Sequence, residues 1–186
     1  MGGIRIIGGR FRGKRLATPA DRSVRPTGER TREALFDILD SAGLIAGATV
    51  LDLFCGTGAV GLEAWSRGAG EVWLIDRDVT LAKANVEALG RPDAVHIRRA
   101  DASALGAPPA RFDLAFLDPP YRSGLAATAL AALGRGWLAE DATIVVELAA
   151  REALEPPMGF TMTQDRRYGA ARLVFLEHEK PEAGPS

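Results

Sequence analysis

The stretch from Leu51 to Gly61, LDLFCGTGAVG, reads as a strand followed by a glycine-rich turn, and it decides the fold. Gly56, Gly58 and the last glycine make the pattern G-x-G-x-x-G, and Asp76 stands twenty residues after the first of them. This arrangement is typical of the strand, turn and helix that hold a nucleotide-bearing ligand at the edge of a parallel sheet. The glycine pattern by itself does not say which ligand.

Predicted β and α segments alternate around this stretch. Apolar runs and helical spacing predict, in order, strand Thr49–Phe54, helix Ala59–Ser66, strand Glu71–Ile75, helix Val79–Leu89, strand Ala94–Arg98, strand Phe112–Leu117, helix Ser123–Leu133 and strand Thr143–Leu148. Continuous apolar strands of this kind are typical of a parallel sheet that helices cover on both faces.

The last segments break the alternation. Phe160–Arg166 and Ala171–His178 have no helix between them, so we predict an antiparallel hairpin. A mostly parallel sheet of seven strands with an antiparallel last strand is the plan of class I S-adenosylmethionine methyltransferases, a Rossmann-like three-layer α/β sandwich. We assign such a domain to residues 46–178 and expect residues 179–186 to be a disordered tail.

Basic residues are concentrated at the N-terminal end, although the whole chain has a net charge of −1. Residues 1–32 hold nine basic and two acidic side chains. Ile4–Gly9 and Phe11–Ala17 are predicted to pair as a hairpin. A helix is predicted over Gly28–Asp40, with Thr27 as its N-cap.

This basic extension, residues 1–45, is rich in arginine interleaved with glycine. Such a composition favours contact with nucleic-acid phosphates, and a solvated arm is the alternative. The candidate RNA-binding residues are Arg10, Arg12, Lys14, Arg15, Arg25, Arg30 and Arg32.

The composition argues against several other classes. Cys55 is the single cysteine, which excludes an internal disulfide, and the two histidines, His96 and His178, form no cluster at metal-ligand spacing. No apolar run approaches the roughly 20 residues of a membrane span. We therefore expect a soluble cytoplasmic monomer without a metal.

A carboxylate inside the opening stretch discriminates between ligands. Asp52 stands four residues before Gly56, where it would repel a pyrophosphate but attract the cationic end of S-adenosylmethionine. Asp76 would accept hydrogen bonds from the ribose hydroxyls, and Asp101 would meet the adenine amine. Asp52 as a cap of the turn and Asp101 as a loop residue are the structural alternatives. The candidate cofactor-binding residues are Asp52, Phe54, Gly56, Gly58, Asp76, Asp101 and Ala102.

The most specific motif is Asp118-Pro119-Pro120-Tyr121, directly after the apolar run FDLAFL. The two prolines fix the backbone and remove two donors, so the motif presents a carboxylate, a bare carbonyl and an aromatic ring at the sheet edge. An exocyclic amine that donates to Asp118 and to the Pro119 carbonyl would turn its lone pair toward a methyl donor, while Tyr121 stacks on the base. A proline turn with a half-buried tyrosine is the structural alternative. We take all four residues as catalytic candidates.

Together with earlier segments, this motif resembles the RsmD-type methyltransferases, which modify the exocyclic N2 of one guanine in bacterial 16S ribosomal RNA. The matching segments are Arg5-Ile-Ile-Gly-Gly9, Arg12-Gly-Lys-Arg-Leu16, Arg25-Pro-Thr27 with Arg30, Arg32-Glu-Ala-Leu-Phe36, residues 51–69, Phe112–Tyr121 and Trp137-Leu138. Many methyltransferases share the glycine turn, whereas the Arg-Pro-Thr segment combined with the proline motif is much narrower. The chain departs from the family pattern at Cys55, where alanine is expected, and at Asp76, where glutamate is expected.

The resemblance implies a bacterial enzyme that methylates guanine 966 in an assembling small ribosomal subunit. It implies S-adenosylmethionine as the methyl donor and S-adenosylhomocysteine as the product. By the same analogy, Arg25 and Thr27 lie near the methionine end of the donor, and the basic hairpin grips phosphates beside a flipped guanine.

Three alternatives stay open. A DNA adenine-N6 or protein glutamine-N5 methyltransferase would use a similar proline motif, although the glutamine enzymes prefer asparagine at its start and the chain has no target-recognition domain for DNA. A nicotinamide dehydrogenase gives no reason for Asp52 and Asp118. A non-catalytic RNA-binding assembly factor is the alternative from another class.

Overall fold

One seven-stranded sheet organises the chain in the computed structural model, which describes residues 4–19 and 26–178. The strands are β1 Thr49–Leu53, β2 Glu71–Asp76, β3 Val95–Arg99, β4 Phe112–Leu117, β5 Leu138–Ala149, β6 Phe160–Tyr168 and β7 Ala171–His178. The α-helices in these ranges are α1 Pro26–Ser41, α2 Ala59–Ser66, α3 Thr80–Ala88 and α4 Leu125–Leu133.

Strand β7, the last in the chain, is antiparallel to the other strands of the sheet. The order across the sheet is β3-β2-β1-β4-β5-β7-β6. The pairs from β3 to β5 are parallel, whereas β7 is antiparallel to both of its neighbours, β5 and β6. β6 therefore points the same way as β5, and their C-terminal ends reach one edge of the sheet, which we term the carboxyl edge; the opposite edge is the amino edge. The predicted mostly parallel sheet with an antiparallel last strand is confirmed.

Helices cover both faces of the sheet. On one face, Phe36 of α1, Leu62 of α2 and Ala82 of α3 belong to one buried apolar core. On the other face, Leu130 of α4 packs in a second core with Trp137. The two cores make the three-layer sandwich that the apolar strands predict.

Two elements begin earlier than predicted. α1 starts at Pro26, so Thr27 lies inside its first turn and is not the N-cap. Proline suits the first helical position, because the N–H that it lacks would have no partner there. β5 starts at Leu138, five residues before the predicted start. Its first half was not predicted because the acids Glu140 and Asp141 interrupt the apolar pattern there.

The N-terminal hairpin forms around a short 3-10 helix, Gly9–Phe11. Arg5 and Arg15 make an antiparallel bridge, and the N–H of Ile6 donates to the Lys14 carbonyl at 2.9 Å. The pairing predicted for this segment is therefore present. Residues 179–186, the predicted tail, lie outside the described residues.

A buried carboxylate fixes the hairpin to α2. Glu63 accepts 2.7 Å hydrogen bonds from the backbone N–H groups of Ile7 and Gly8. A Cβ on Gly9 would stand 1.9 Å from the Ser66 carbonyl oxygen, so only glycine allows this close approach. The hairpin turn thus rests on the last turn of α2. In the described ranges, we find no helix that combines the length and the apolarity needed to cross a membrane.

Candidate active site

A cleft opens at the carboxyl edge, where β1 to β4 end. It is lined by Phe54, Asp76, Arg77, Ala100, Ala102, Asp118, Pro120 and Leu125. The turn after β1 and the proline motif after β4 were predicted from separate stretches of sequence. The parallel sheet brings both to one cavity.

Each glycine of the turn has its own physical requirement. Gly56 and Gly58 have positive φ angles of 52° and 75°, which favour glycine. A Cβ on Gly58 or Gly61 would lie 2.9 or 2.4 Å from the Leu74 side chain, so these two glycines let α2 pack closely on β2. A Cβ on Gly56 would meet no protein atom within 4 Å. The backbone at Gly56 is therefore open to a ligand.

Phe54 has a left-handed backbone conformation, with φ at 66°. Its N–H and that of Cys55 both donate to the Ile75 carbonyl, at 3.0 and 3.2 Å, and hold a conformation that costs a non-glycine residue about 1–3 kcal/mol. Cys55 is buried, and burial raises the pKa of its thiol. This cysteine is a neutral packing group.

Asp76 braces the glycine turn and also lines the cleft. Its Oδ2 accepts from the Gly56 N–H at 2.8 Å, and its Oδ1 accepts from the Asp78 N–H at 3.3 Å. Each carboxylate oxygen can accept two hydrogen bonds, so acceptor capacity remains for a ligand's hydroxyl groups. The change from glutamate to aspartate leaves an acceptor at this strand end.

Asp101 is engaged by its own loop. One oxygen accepts from the Ser103 N–H at 2.9 Å and from its hydroxyl at 2.7 Å, and the other accepts from Arg77 at 2.5 Å. These bonds, with those from Ser103 the largest, lower the pKa of Asp101 to about 2. The cleft is lined by its neighbour Ala102 instead. The contacts of Asp101 match the structural role that the sequence left open.

Asp52 lies buried beneath the turn, with only 3% of its surface exposed. Its Oδ2 accepts from the Gly61 N–H at 2.9 Å, in the first turn of α2, where backbone donors have no helical partner. Burial raises the pKa of Asp52 to about 7; the Gly61 bond opposes this rise, and the charge of Asp76 adds to it. Asp52 thus caps the N-terminal end of α2. Only the turn separates it from the cleft, so its charge acts on the cleft across the turn.

Asp118 follows β4 and stands beside Glu147 of β5, because Leu117 pairs with Val146. Asp118 is accessible to solvent from the cleft, yet protein atoms crowd its inner side. This desolvation, together with the charges of Glu147 and Asp52, raises its pKa well above the usual value. Water on the open side moderates the desolvation, but both neighbouring acids act in the same direction.

Tyr121 completes the proline motif, directly after the cleft residue Pro120, and 36% of its surface is exposed. Its hydroxyl donates to Oε1 of Glu147 at 3.2 Å. Pro119 is buried, and Pro120 lines the cleft. We did not predict Glu147 from the sequence. The signal that indicates it is a single acid within the apolar run of residues 143–148.

The predicted RNA-binding residues take different positions. Arg10 stacks its guanidinium over the Trp65 ring, 4.0 Å from the centroid. Arg32 is buried and donates to the Arg5 carbonyl at 2.6 Å, so it links α1 to the hairpin instead of facing an RNA, and burial lowers its pKa. Arg25 lies outside the described residues. Among the described candidates, all except Arg32 are exposed: Arg10, Arg12, Lys14, Arg15 and Arg30.

The sheet with its reversed strand, the glycine turn and the acidic strand ends define the Rossmann-like methyltransferase class. The solved structure of magnesium protoporphyrin IX methyltransferase (ChlM) from Synechocystis, with bound S-adenosylhomocysteine, shares the fold. Its TM-score is 0.65 and its identity is 14%, over 90% of each chain.

The chain belongs to the family described as Conserved hypothetical protein 95, whose sequence profile matches residues 4–177. Ribosomal RNA small subunit methyltransferase D of Escherichia coli K12 is 35% identical over 192 residues, which cover 100% of this chain and 94% of that protein. The Haemophilus influenzae protein of the same name is 35% identical over 90% of each chain. The solved structure of yhhF from Escherichia coli has a TM-score of 0.82 and 33% identity, and covers 97% of this chain and 100% of its own. The resemblance to RsmD-type methyltransferases is confirmed.

Proposed function

We propose that the protein transfers a methyl group from S-adenosylmethionine to the exocyclic N2 of a guanine in 16S ribosomal RNA, guanine 966 by family analogy. The observation that carries this proposal is the shared cleft. Phe54 and Asp76, which flank the glycine turn, line the same cavity as Asp118 and Pro120 of the proline motif. The names of the Escherichia coli and Haemophilus influenzae relatives support ribosomal RNA as the substrate.

The residues on the β1 and β2 side of the cleft fit the donor. S-adenosylmethionine supplies a methyl group activated by its sulfonium charge. Asp76 offers acceptors for ribose hydroxyls, and the open backbone at Gly56 allows the close approach that the methionine part requires. Phe54 and Ala102 give apolar walls. Asp52 contributes negative charge beneath a turn that receives a cation.

The proline motif fits the acceptor. The lone pair of the guanine amine is delocalised into the ring, and hydrogen bonds to Asp118 and to the Pro119 carbonyl favour a pyramidal nitrogen. The ring of Tyr121 offers a stacking face to a base turned out of its helix. In the proposed transfer, the C–N bond would form as the C–S bond of the donor breaks, with S-adenosylhomocysteine as the leaving group. The nitrogen must then lose a proton, and the raised pKa of Asp118 suits this carboxylate to accept it. Most of the catalysis comes from orientation.

We place the reaction on RNA in an assembling small subunit, with the protein acting as a cytoplasmic monomer. The exposed hairpin residues Arg12, Lys14 and Arg15 would contact phosphates of that RNA.

A labelling experiment tests the proposal. The purified protein is incubated with S-adenosylmethionine carrying a deuterated methyl group and with unmethylated 16S RNA, both as a free transcript and within small subunits. The RNA is then digested to nucleosides for mass spectrometry. We expect labelled N2-methylguanosine, and none with Asp118→Ala. Label in adenine of DNA or in glutamine would support the alternative methyltransferases, and RNA binding without label would support the assembly factor.

A further inference from the structure

Four exposed arginines stand at the carboxyl edge, on the side of the cleft beyond the proline motif. Arg122 follows the motif, Arg151 follows β5, and Arg166 and Arg167 lie near the end of β6. In residues 4–19 and 26–178, none of the four forms an ion pair. We term this group the arginine rim.

The reversed strand β7 places the rim next to the acceptor side of the cleft. Glu147 of β5 pairs with Leu173 of β7, and Leu173 in turn pairs with Arg166 of β6. Neighbouring strands lie about 4.8 Å apart, so Arg166 stands about 10 Å from Glu147 and about 15 Å from Asp118, measured across the sheet between backbones. A few nucleotides of single-stranded RNA span such a distance.

Two carboxylates beside the rim already have other partners. Asp165 accepts from Arg172 through both oxygens, at 2.7 and 2.8 Å. Glu152 accepts from the backbone N–H groups of Arg122 and Ala149, at 2.8 and 3.4 Å. In the described residues, neither acid forms an ion pair with a rim guanidinium. Arg166 donates through its Nε to the Gln164 side-chain oxygen at 3.0 Å, and this neutral partner leaves the charge of Arg166 uncompensated.

The hairpin turn lies elsewhere on the molecule. The Phe11 N–H donates to the Ser66 hydroxyl at 3.0 Å, at the end of α2 that points away from the glycine turn. Arg10, in the same turn, packs on Trp65. The hairpin turn is thus directed toward the amino edge, whereas the rim shares the carboxyl edge with Asp118.

We infer that the arginine rim is a phosphate-binding surface for the RNA strand beside the base that enters the cleft. This inference rests on the proposed function, because it takes RNA as the partner. Each guanidinium presents N–H donors in a planar fork that matches a phosphate. Such contacts fix the position of the RNA without reading its sequence.

The test measures how strongly the full-length protein binds a 16S RNA transcript over a series of salt concentrations. Arg166→Ala/Arg167→Ala is compared with Arg111→Ala/Arg135→Ala, a control that removes two exposed arginines at the amino edge, one just before β4 and one just after α4. Each phosphate contact contributes about −0.7 to −0.9 to the slope of log affinity against log salt. The rim variant should therefore flatten the slope by about 1.4 to 1.8, and the control should not change it.

Two further measurements keep the result interpretable. Arg166→Lys/Arg167→Lys retains both charges and should keep most of the slope, which a purely structural role of the arginine side chains does not predict. S-adenosylmethionine affinity, measured by calorimetry, should be unchanged in every variant and shows that each is folded. If the alanine pair does not fold, the single variant Arg166→Gln is measured in the same way, and the expected change in the salt slope is half as large.

The outcomes separate the rim from the proposed function. If the rim variant keeps the slope of the control while the wild type methylates the RNA, the inference that the arginine rim binds phosphates is wrong and the proposed function stands. If the slope flattens but the wild type transfers no methyl group to RNA, the rim is supported and the proposed function is wrong. If the wild type does not bind the RNA, both are wrong.

Discussion

Asp118, directly after β4, lies beside Glu147 of the neighbouring parallel strand β5, one residue beyond the Leu117–Val146 pair. Desolvation raises the pKa of Asp118, and the negative charge of Glu147 raises it further by favouring the protonated form. Tyr121 donates to the same glutamate, so one side chain contacts the proposed stacking residue and tunes the proposed acceptor of the amine.

We expect Glu147→Gln to shift the pH dependence of methyl transfer. Asp118 must be ionised to accept a hydrogen bond from the amine, so the rate falls as the pH drops through its raised pKa. Without the charge of Glu147 this pKa is lower, and the acidic limb of the profile should move to lower pH. Single-turnover rates across pH measure the shift. Glu87→Gln, an exposed change on α3, serves as the control. An acidic limb identical in both variants would argue against coupling between the two carboxylates.

Two substitutions of Tyr121 should separate its hydroxyl from its ring. Tyr121→Phe removes the hydroxyl that donates to Glu147 at 3.2 Å and keeps the ring, so kcat/KM should fall by less than about tenfold. Tyr121→Ala removes the stacking face, which is worth about 1–3 kcal/mol per base, and should lower kcat/KM roughly 10- to 100-fold. Equal losses in the two variants would mean that the hydroxyl, and not the ring, carries the effect.

Local patterns predicted most of the secondary structure. The bounds of α2, β4 and β7 coincide with the prediction, because apolar runs or a flanking glycine mark where these elements start and stop. The insertion of β7 between β5 and β6 was not predicted, because strand order depends on pairing between distant segments. The position of the arginine rim follows from that pairing.

The sequence predicted several residues of the candidate site but not how deeply each side chain is buried. The residues that line the cleft include Phe54, Asp76 and Asp118, which the motifs had indicated. The sequence left two roles open for Asp52 and did not suggest that Arg32 is buried, because motif spacing says where a side chain stands along the chain and not how deeply it packs. In both cases a charged residue serves the fold by bonding to a backbone group.

Asp76→Ala should weaken S-adenosylmethionine binding by roughly 10- to 100-fold, because a hydrogen bond to a charged acceptor is worth about 1.5–3 kcal/mol. The variant also loses the bond to the Gly56 N–H, so the turn itself is less well held. Calorimetry with the donor, with its demethylated product and with NADH gives the measurement, and NADH should not bind. Asp118→Ala is the paired control: it should lose methyl transfer but keep donor affinity. Tight NADH binding would contradict the assignment of the turn.

Asp52→Asn should change how stability depends on pH. The folded-state pKa of Asp52 is about 7, against an ordinary value of 3.8, so between these values the folded protein binds a proton that the unfolded chain has released. The wild type therefore loses stability from this group as the pH rises through that window, by up to about 1.4 kcal/mol per pH unit. The amide keeps an acceptor for Gly61 and does not titrate. Between pH 5 and pH 7, the free energy of unfolding measured in urea should rise in the variant relative to the wild type. An equal pH dependence in the two proteins would contradict the raised pKa.

The last prediction separates Arg10 from the other basic residues of the hairpin. Its guanidinium packs on Trp65, so Arg10→Ala should lower the free energy of unfolding by about 0.5–1 kcal/mol and leave the salt dependence of RNA binding nearly unchanged. Arg12, Lys14 and Arg15 are exposed, so changing these three to alanine should spare stability and flatten the salt slope by about 2 to 3. Urea unfolding and RNA titration on the same preparations give both quantities. A triple variant with the wild-type slope would show that these hairpin residues do not contact the RNA. A flattened slope in Arg10→Ala at unchanged stability would show that Arg10 contacts the RNA.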